Sequence, residues 1–305
     1  MKISVIIPTL NAEKEITELM ICLKDQTRQA HEIIIVDSSS NDRTVHIAYE
    51  FGAKVIMVDR HSFDHGGTRN YAASHAIGDV LVFMTQDAIP DNEHFLKQLT
   101  QPLQDERVAA TYGRQVAHPN ASDLEKLTRE FNYPPDSLRK SKDDLPRLGI
   151  KTFFLTNVCS SYRRSSFEQL GKFEEPIISN EDMIMAAKLI NAGYLIAYAA
   201  DAKVKHSHDY TAVQQFRRHF DIGVSLCLNK GIVQGVKAEG EGKKLIKLQL
   251  KLLKPIKMWY RIPGWIIQLV AKYAGYRLGL ICMKLPKTLR SSFSMHKNFW
   301  NHYEG

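Results

Sequence analysis

Two short stretches of this 305-residue chain hold residue types that could do chemistry together. Ser179-Asn180-Glu181-Asp182 puts two adjacent carboxylates ahead of a helical pattern. Thr85-Gln86-Asp87 puts one carboxylate directly after an apolar run that reads as a buried strand. A group transfer that releases an anion needs a base for the attacking hydroxyl and a cation for the departing charge. Asp182, with Glu181 in support, is the candidate base, and Asp87 is the candidate cation ligand. A plainer reading stands beside this one, because acids in the first turn of a helix are favoured by its macrodipole alone. His206-Ser207-His208 adds two imidazoles that alternate as at a strand end, which puts both rings on one side.

These residues need a scaffold, and the first hundred positions supply a regular one. Residues 3–9, 32–37, 54–58 and 79–84 are apolar runs of strand length. Between them, Ile16, Leu19, Met20 and Leu23 recur at helical spacing within 11–24, and helices are also expected over 43–51, capped by Asp42, and over 68–76. Strands alternating with helices predict an α/β fold with a mostly parallel sheet and helices on both faces. Ligands in such sheets bind at the carboxyl ends of the strands, where Thr9, Asn11, Asp37 and Asp87 fall. After Val108 the pattern changes. Strands are expected over 108–113, 153–159, 195–199 and 202–205, and helices over 164–170, 181–192 and 213–228. The polar, proline-containing stretch 118–150, with a helical piece at 122–131, reads as an insertion on the acceptor side.

Charge divides the chain differently. Residues 237–305 contain 14 Lys and Arg against 3 Asp and Glu, so the net charge of +8 belongs to the tail and the body is nearly neutral. Lys244, Lys247, Lys251 and Lys254 lie beside a stripe of Leu245, Leu248, Leu252 and Ile256, which is a basic amphipathic helix. Trp259-Tyr260-Arg261 and Trp265 follow, aromatics beside cations as at a membrane interface. Lys272 and Arg277 interrupt the apolar run 265–283, so a helix lying in the interface fits better than a spanning one. The tail carries no zinc-finger, helix-turn-helix or RRM pattern, and its apolar content favours lipid over nucleic acid. The apolar start, cut by Pro8, is too short for a signal peptide, and the four cysteines show no CxxC spacing. The expected setting is cytoplasmic, peripheral at the inner face of a membrane, with reduced thiols. A homo-oligomer is compatible with the sequence.

Taken in order, Val5-Ile6-Ile7-Pro8-Thr9-Leu10-Asn11, Ile35-Val36-Asp37-Ser38-Ser39-Ser40-Asn41-Asp42, Asp87 and Asn180-Glu181-Asp182 resemble the family 2 inverting glycosyltransferases of GT-A fold. His61-Ser62-Phe63-Asp64-His65-Gly66-Gly67-Thr68-Arg69-Asn70 resembles the bacterial rhamnosyltransferase branch more narrowly. The resemblance spans roughly residues 1–230. It implies a GT-A domain over 1–235, with a donor half to about 107 and an acceptor half from 108, followed by the basic tail over 236–305.

The resemblance also implies roles. Pro8, Thr9, Asn11 and Asp37 would hold the nucleotide, Asp37 accepting the base N–H. Gly66 and Gly67 would let backbone approach the diphosphate, with Arg69 as its cation, Gln86 in the same pocket, and His61 and His65 shaping it. The family's metal motif is Asp-x-Asp; here it reads Thr85-Gln86-Asp87, so the first carboxylate is missing. Asp87 with His208 would then hold Mg2+ or Mn2+, and imidazole tilts the choice toward Mn2+. The implied reaction moves a sugar, L-rhamnose from dTDP-L-rhamnose, onto a lipid-linked surface polysaccharide, with Asp182 as base. The rival readings are transfer from a UDP-sugar and a non-catalytic sugar-nucleotide or polysaccharide-binding subunit of an assembly complex.

Overall fold

In the computed structural model, residues 1–233, 239–253, 260 and 262–303 are described. The first half is built as the alternation of patterns demands. Strands β1 (Ile3–Thr9), β2 (Glu32–Asp37), β3 (Lys54–Met57) and β4 (Val80–Met84) pair in parallel in the order β3-β2-β1-β4. Helices α1 (Glu13–Lys24), α2 (Thr44–Glu50) and α3 (His65–Ser74) connect them. Ile3, Val5 and Ile7 of β1 join the core on the α1 side, and Ile6 joins the core on the α3 side, the period-two alternation of a strand covered on both faces. α1 buries Ile16, Leu19, Met20 and Leu23 completely or nearly so. Each is worth about 1.5–3 kcal/mol, well above any contribution from helix propensity.

The second half departs from a parallel sheet. It contains β5 (Ile89–Pro90), β6 (Val108–Val116), β7 (Leu138–Lys140), β8 (Cys159–Arg163) and β9 (Leu195–Lys205). β8 runs antiparallel to both β4 and β6, β6 runs parallel to β9, and β5 and β7 add antiparallel edges to β9. The sheet is therefore mixed: β3-β2-β1-β4 is a parallel block, and the second half mixes antiparallel pairs with the parallel pair of β6 and β9. Helices α4 (Phe95–Thr100), α5 (Asp123–Asn132), α6 (Leu145–Leu148), α7 (Arg164–Gln169) and α8 (Glu181–Asn191) pack around it.

Two expectations need correction. Residues 153–159 are not one strand: a 3-10 turn ends at Phe153, and β8 begins only at Cys159. Phe153 and Leu155 are buried as core side chains in an irregular segment, so the apolar run reflects burial rather than extension. The two short strands at 195–205 are one, because β9 continues past a register shift opposite Gly113 and Arg114.

The tail packs on the body. It comprises α10 (Glu239–Leu253), α11 (Ile262–Gly279), α12 (Lys287–Phe293) and α13 (Lys297–His302), and α11 lies along α9 (Ala212–Leu228). Three glycines set that crossing. A β-carbon on Gly275 would lie 2.2 Å from the Phe216 carbonyl oxygen, one on Gly279 2.2 Å from that of Phe220, and one on Gly223 2.4 Å from that of Tyr276. The two backbones thus touch where any side chain would separate them. α10 has the expected faces, with Lys244, Lys247 and Lys251 exposed and Leu245, Leu248 and Leu252 half-buried. Gln249 ties it down, donating to Thr128 of α5 at 3.1 Å and accepting from the Trp265 indole at 2.9 Å. Lys254, Ile256, Trp259 and Arg261, also part of the sequence reading, lie outside the described residues. Lys272 is turned toward the body, where burial lowers its pKa, and Arg277 faces outward over Tyr273. That explains the polar residues scattered around α11. Among the described residues no helix is long and apolar enough to cross a membrane.

Candidate active site

The strand order reverses at β1, between β2 and β4, so a crevice opens at the carboxyl ends of β1 and β4. Gln86 closes its floor. Its side-chain oxygen accepts from the Leu10 N–H at 2.8 Å and its nitrogen donates to the Leu10 carbonyl at 3.3 Å. A carboxylate could only accept; the amide does both. Asp37 is fully buried at the end of β2 and accepts from Thr9 Oγ1 at 2.8 Å, the Ser40 N–H at 2.8 Å and Ser40 Oγ at 2.6 Å. It therefore grips the chain on both sides of Ser38, which faces the crevice. Asn11, with φ of 49°, is exposed and accepts from the Asn41 N–H at 2.9 Å, tying the two loops together.

The two acids at the start of α8 have separate environments. Glu181 accepts from Asn157 Nδ2 at 3.0 Å and lies 3.4 Å from Arg69 Nη1. Burial opposes its charge, but Arg69 and the hydrogen bond prevail and lower its pKa. Asp182 accepts from the Asn157 N–H at 3.0 Å and the Met183 N–H at 2.7 Å. Burial, with the Glu181 charge beside it, raises its pKa to about 7. Neighbouring carboxylates with pKa values pushed apart are the usual mark of divided duties.

Asp87, His206 and His208 meet on the far side of residues 156–158. His208 Nε2 is 3.0 Å and His206 Nε2 3.5 Å from Asp87 Oδ2, and the three ligand atoms lie within 4.8 Å of one another. Burial would raise the Asp87 pKa, but hydrogen bonds from both imidazoles drive it far below the usual range. His206 Nδ1 lies 3.0 Å from Gln115 Oε1, an atom that Arg129 also meets. A guanidinium only donates, so that atom is the oxygen and His206 Nδ1 must donate to it. Nε2 is thereby the His206 nitrogen turned toward Asp87, where a cation could take the place of its proton, the outer arrangement that metal-binding histidines use. Sequence reading carried His208 into this site and ranked His206 below it as a ligand; the alternation of the pair was the signal for both.

Neither Asn157 nor Gln115 stood out in the sequence, yet they join the two clusters. Asn157 is 2% exposed and also accepts from Ser160 Oγ and Tyr162 OH. Gln115 donates to Thr156 Oγ1, and the Thr85 N–H donates to the Val158 carbonyl. One short segment, 156–158, thus bonds the candidate base and the residue after β4 directly, and reaches His206 through Gln115. The available signal was a lone Asn at the end of an apolar run.

A cavity of about 700 Å³ occupies the crevice. Pro8, Thr9, Arg69 and Gln86 line it, as do His61 and His65; Asn11, Asp37 and Gly67 do not. The glycine pair needs a new explanation. A β-carbon on Gly66 would lie 1.9 Å from the Glu174 carbonyl oxygen, and one on Gly67 2.9 Å from Glu175 Oε2. Their smallness admits the chain's own 174–175 segment. The Gly67 N–H is taken by Asp64, which caps α3, so this helix start is not open to a diphosphate. Arg69 is the group that faces the cavity, and its Nε is buried without a partner among the described residues.

The sequence profile of Glycosyl transferase family 2 matches residues 4–171, more than half of the chain. The chain belongs to glycosyl transferase family 2. It is 43% identical over 305 residues to the O-antigen chain rhamnosyltransferase WbaN of Salmonella anatum, covering 99% of this chain and 96% of that one. It is 41% identical to the O-antigen chain rhamnosyltransferase RfbN of Salmonella typhimurium, covering 100% and 98%. Among solved structures, Staphylococcus aureus TarS (residues 1–349) superposes with a TM-score of 0.59 at 19% identity, over 98% of this chain and 85% of that one. The mannosyltransferase PcManGT of Pyrobaculum calidifontis, solved with GDP-Man and Mn2+, superposes with a TM-score of 0.57 at 20% identity, over 98% and 84%. These neighbours establish the GT-A fold. The protein is a glycosyltransferase, and the donors of its family are nucleotide sugars.

Proposed function

We propose that this glycosyltransferase moves L-rhamnose from dTDP-L-rhamnose, with inversion, onto a lipid-linked surface polysaccharide of the O-antigen kind. The observation that carries this reading is the nearly end-to-end similarity to two O-antigen chain rhamnosyltransferases. The site chemistry agrees with it. A hydroxyl of the acceptor attacks the anomeric carbon as the bond to the β-phosphate oxygen breaks. The proton passes to Asp182, the electron pair leaves with the nucleoside diphosphate, and one displacement inverts the anomeric centre. Arg69, which lines the cavity, is the candidate cation for the departing charge. Asp87, His206 and His208 suit a divalent cation by ligand type and spacing. Such an ion, when bound, neutralises charge on the leaving diphosphate.

The test is transfer or slow donor hydrolysis with thymidine and uridine diphosphate sugars. The expected result is turnover of dTDP-L-rhamnose at least about tenfold above any UDP-sugar, a discrimination of about 1.4 kcal/mol. Preference for a UDP-sugar would replace the donor assignment, and turnover of none would favour the binding-subunit reading.

Membrane association is part of the same proposal. The outward face of α11 exposes Ile266, Ile267, Val270 and Tyr273, while its other face is spent on α9. The exposed lysines of α10 suit anionic headgroups. Flotation with vesicles containing anionic lipid should recover the protein at low salt, and Ile267→Asp with Val270→Asp should reduce recovery by about tenfold or more. Equal recovery of the double variant would remove α11 from the contact.

A further inference from the structure

The donor cavity has a wall that the sequence did not announce. Met295, His296, Lys297, Asn298 and Phe299, all from the tail, line it together with the crevice residues. Independent contacts fix this wall. Asp221 of α9, 1% exposed, accepts from the Met295 N–H at 2.8 Å and the His296 N–H at 3.3 Å. Phe299 packs with Ile178, Phe220, Val224 and Cys282. His296 Nε2 lies 3.2 Å from Nε2 of His65, with the rings edge to face at 4.5 Å. The tail is thus joined to the 61–70 stretch across the cavity rim.

The charge inside is one-sided. Arg60, Arg69 and Lys297 bring three permanent cations to the lining. The one lining carboxylate, Asp64, accepts from the Gly67 and Ile177 N–H groups. Arg69 is shared with Glu181, whereas Arg60 and Lys297 have no carboxylate partner among the described residues. A half-open cavity of this size with an excess of cations is suited to a nucleoside diphosphate.

We propose that the C-terminal segment Ser294–Phe299 is a built part of the donor site and that Lys297 supplies a cation to the donor diphosphate. This rests on the nucleotide-sugar reading above. It gives the tail a duty in donor binding apart from any surface it docks on. Lys297 is exposed, so its replacement spares the core.

The experiment is calorimetric titration of the full-length protein with dTDP, at two salt concentrations, for wild type, Lys297→Gln and Lys297→Arg. The expected result is an affinity loss of about tenfold for Lys297→Gln, a shallower salt dependence, and a loss within about threefold for Lys297→Arg. Thymidine, which lacks the phosphates, should bind both proteins equally. If wild type binds dTDP and Lys297→Gln matches it, the assignment of Lys297 is overturned while the donor reading stands. If wild type binds neither dTDP nor UDP, the donor reading falls and takes this assignment with it.

Discussion

Asp182→Asn is expected to slow transfer by on the order of 10²- to 10⁴-fold, the usual worth of a positioned base, while dTDP affinity stays within about twofold. The residue has what the role requires. Each of its oxygens accepts a single backbone N–H, so lone pairs remain for a proton. Burial and the neighbouring Glu181 charge raise its pKa to about 7, the range in which a carboxylate takes up a proton readily. The sign of the pH dependence follows. Below pH 7 Asp182 is mostly protonated and cannot act, so kcat/KM should rise with pH and level off about one unit above that pKa. In the Asn variant the residual rate should lose this limb. Glu181 is the weaker candidate: paired with Arg69 and bonded to Asn157, it is held as a stable anion. An Asp182→Asn protein that turns over donor and acceptor at the wild-type rate would sink the assignment.

Chelation of divalent ions, or Asp87→Ala, should cost on the order of 10²- to 10³-fold in transfer, equivalent to about 3–4 kcal/mol of lost charge stabilisation. The expected loss is large because the site has one carboxylate. Thr85 stands where the Asp-x-Asp pattern has its first acid, and the amide of Gln86, between Thr85 and Asp87, is committed to Leu10. The two imidazoles supply the remaining ligands, which should rank Mn2+ above Mg2+ in affinity. Direct Mn2+ binding, read by magnetic resonance without donor or acceptor, should be lost in Asp87→Ala and weakened in His206→Ala. Full activity after exhaustive chelation would end the metal assignment.

The donor half was readable because its signals are local. Strands β1 to β4 are nearly continuous apolar runs, as expected of strands covered on both faces; Thr9 and Asp37 fall at strand ends by register, and Asp87 follows β4 by three residues. The second half defeated the same reasoning where burial and extension came apart. Phe153 and Leu155 are core residues without being in a strand, and β9 runs through what looked like a break. At the site, side chains with obvious charge were found, and the neutral amides that orient them were not. Asn157 and Gln115 act through long-range hydrogen bonds, which leave no periodic trace in a sequence. The glycine pair at 66–67 was noticed for the right property, the lack of a side chain, but the neighbour it accommodates, Glu174–Glu175, is 108 residues away in the chain. The tail was read least completely, since its composition points to a surface and carries no sign of the residues that line the cavity.

α9 is clamped on one flank to α11 by bare backbone, and through Asp221 it holds the cavity wall at Met295 and His296. The helix that shows its apolar stripe to the outside and the wall that faces the donor are therefore mounted on one beam. Docking of the outer stripe is thus expected to reach the cavity wall through a single helix.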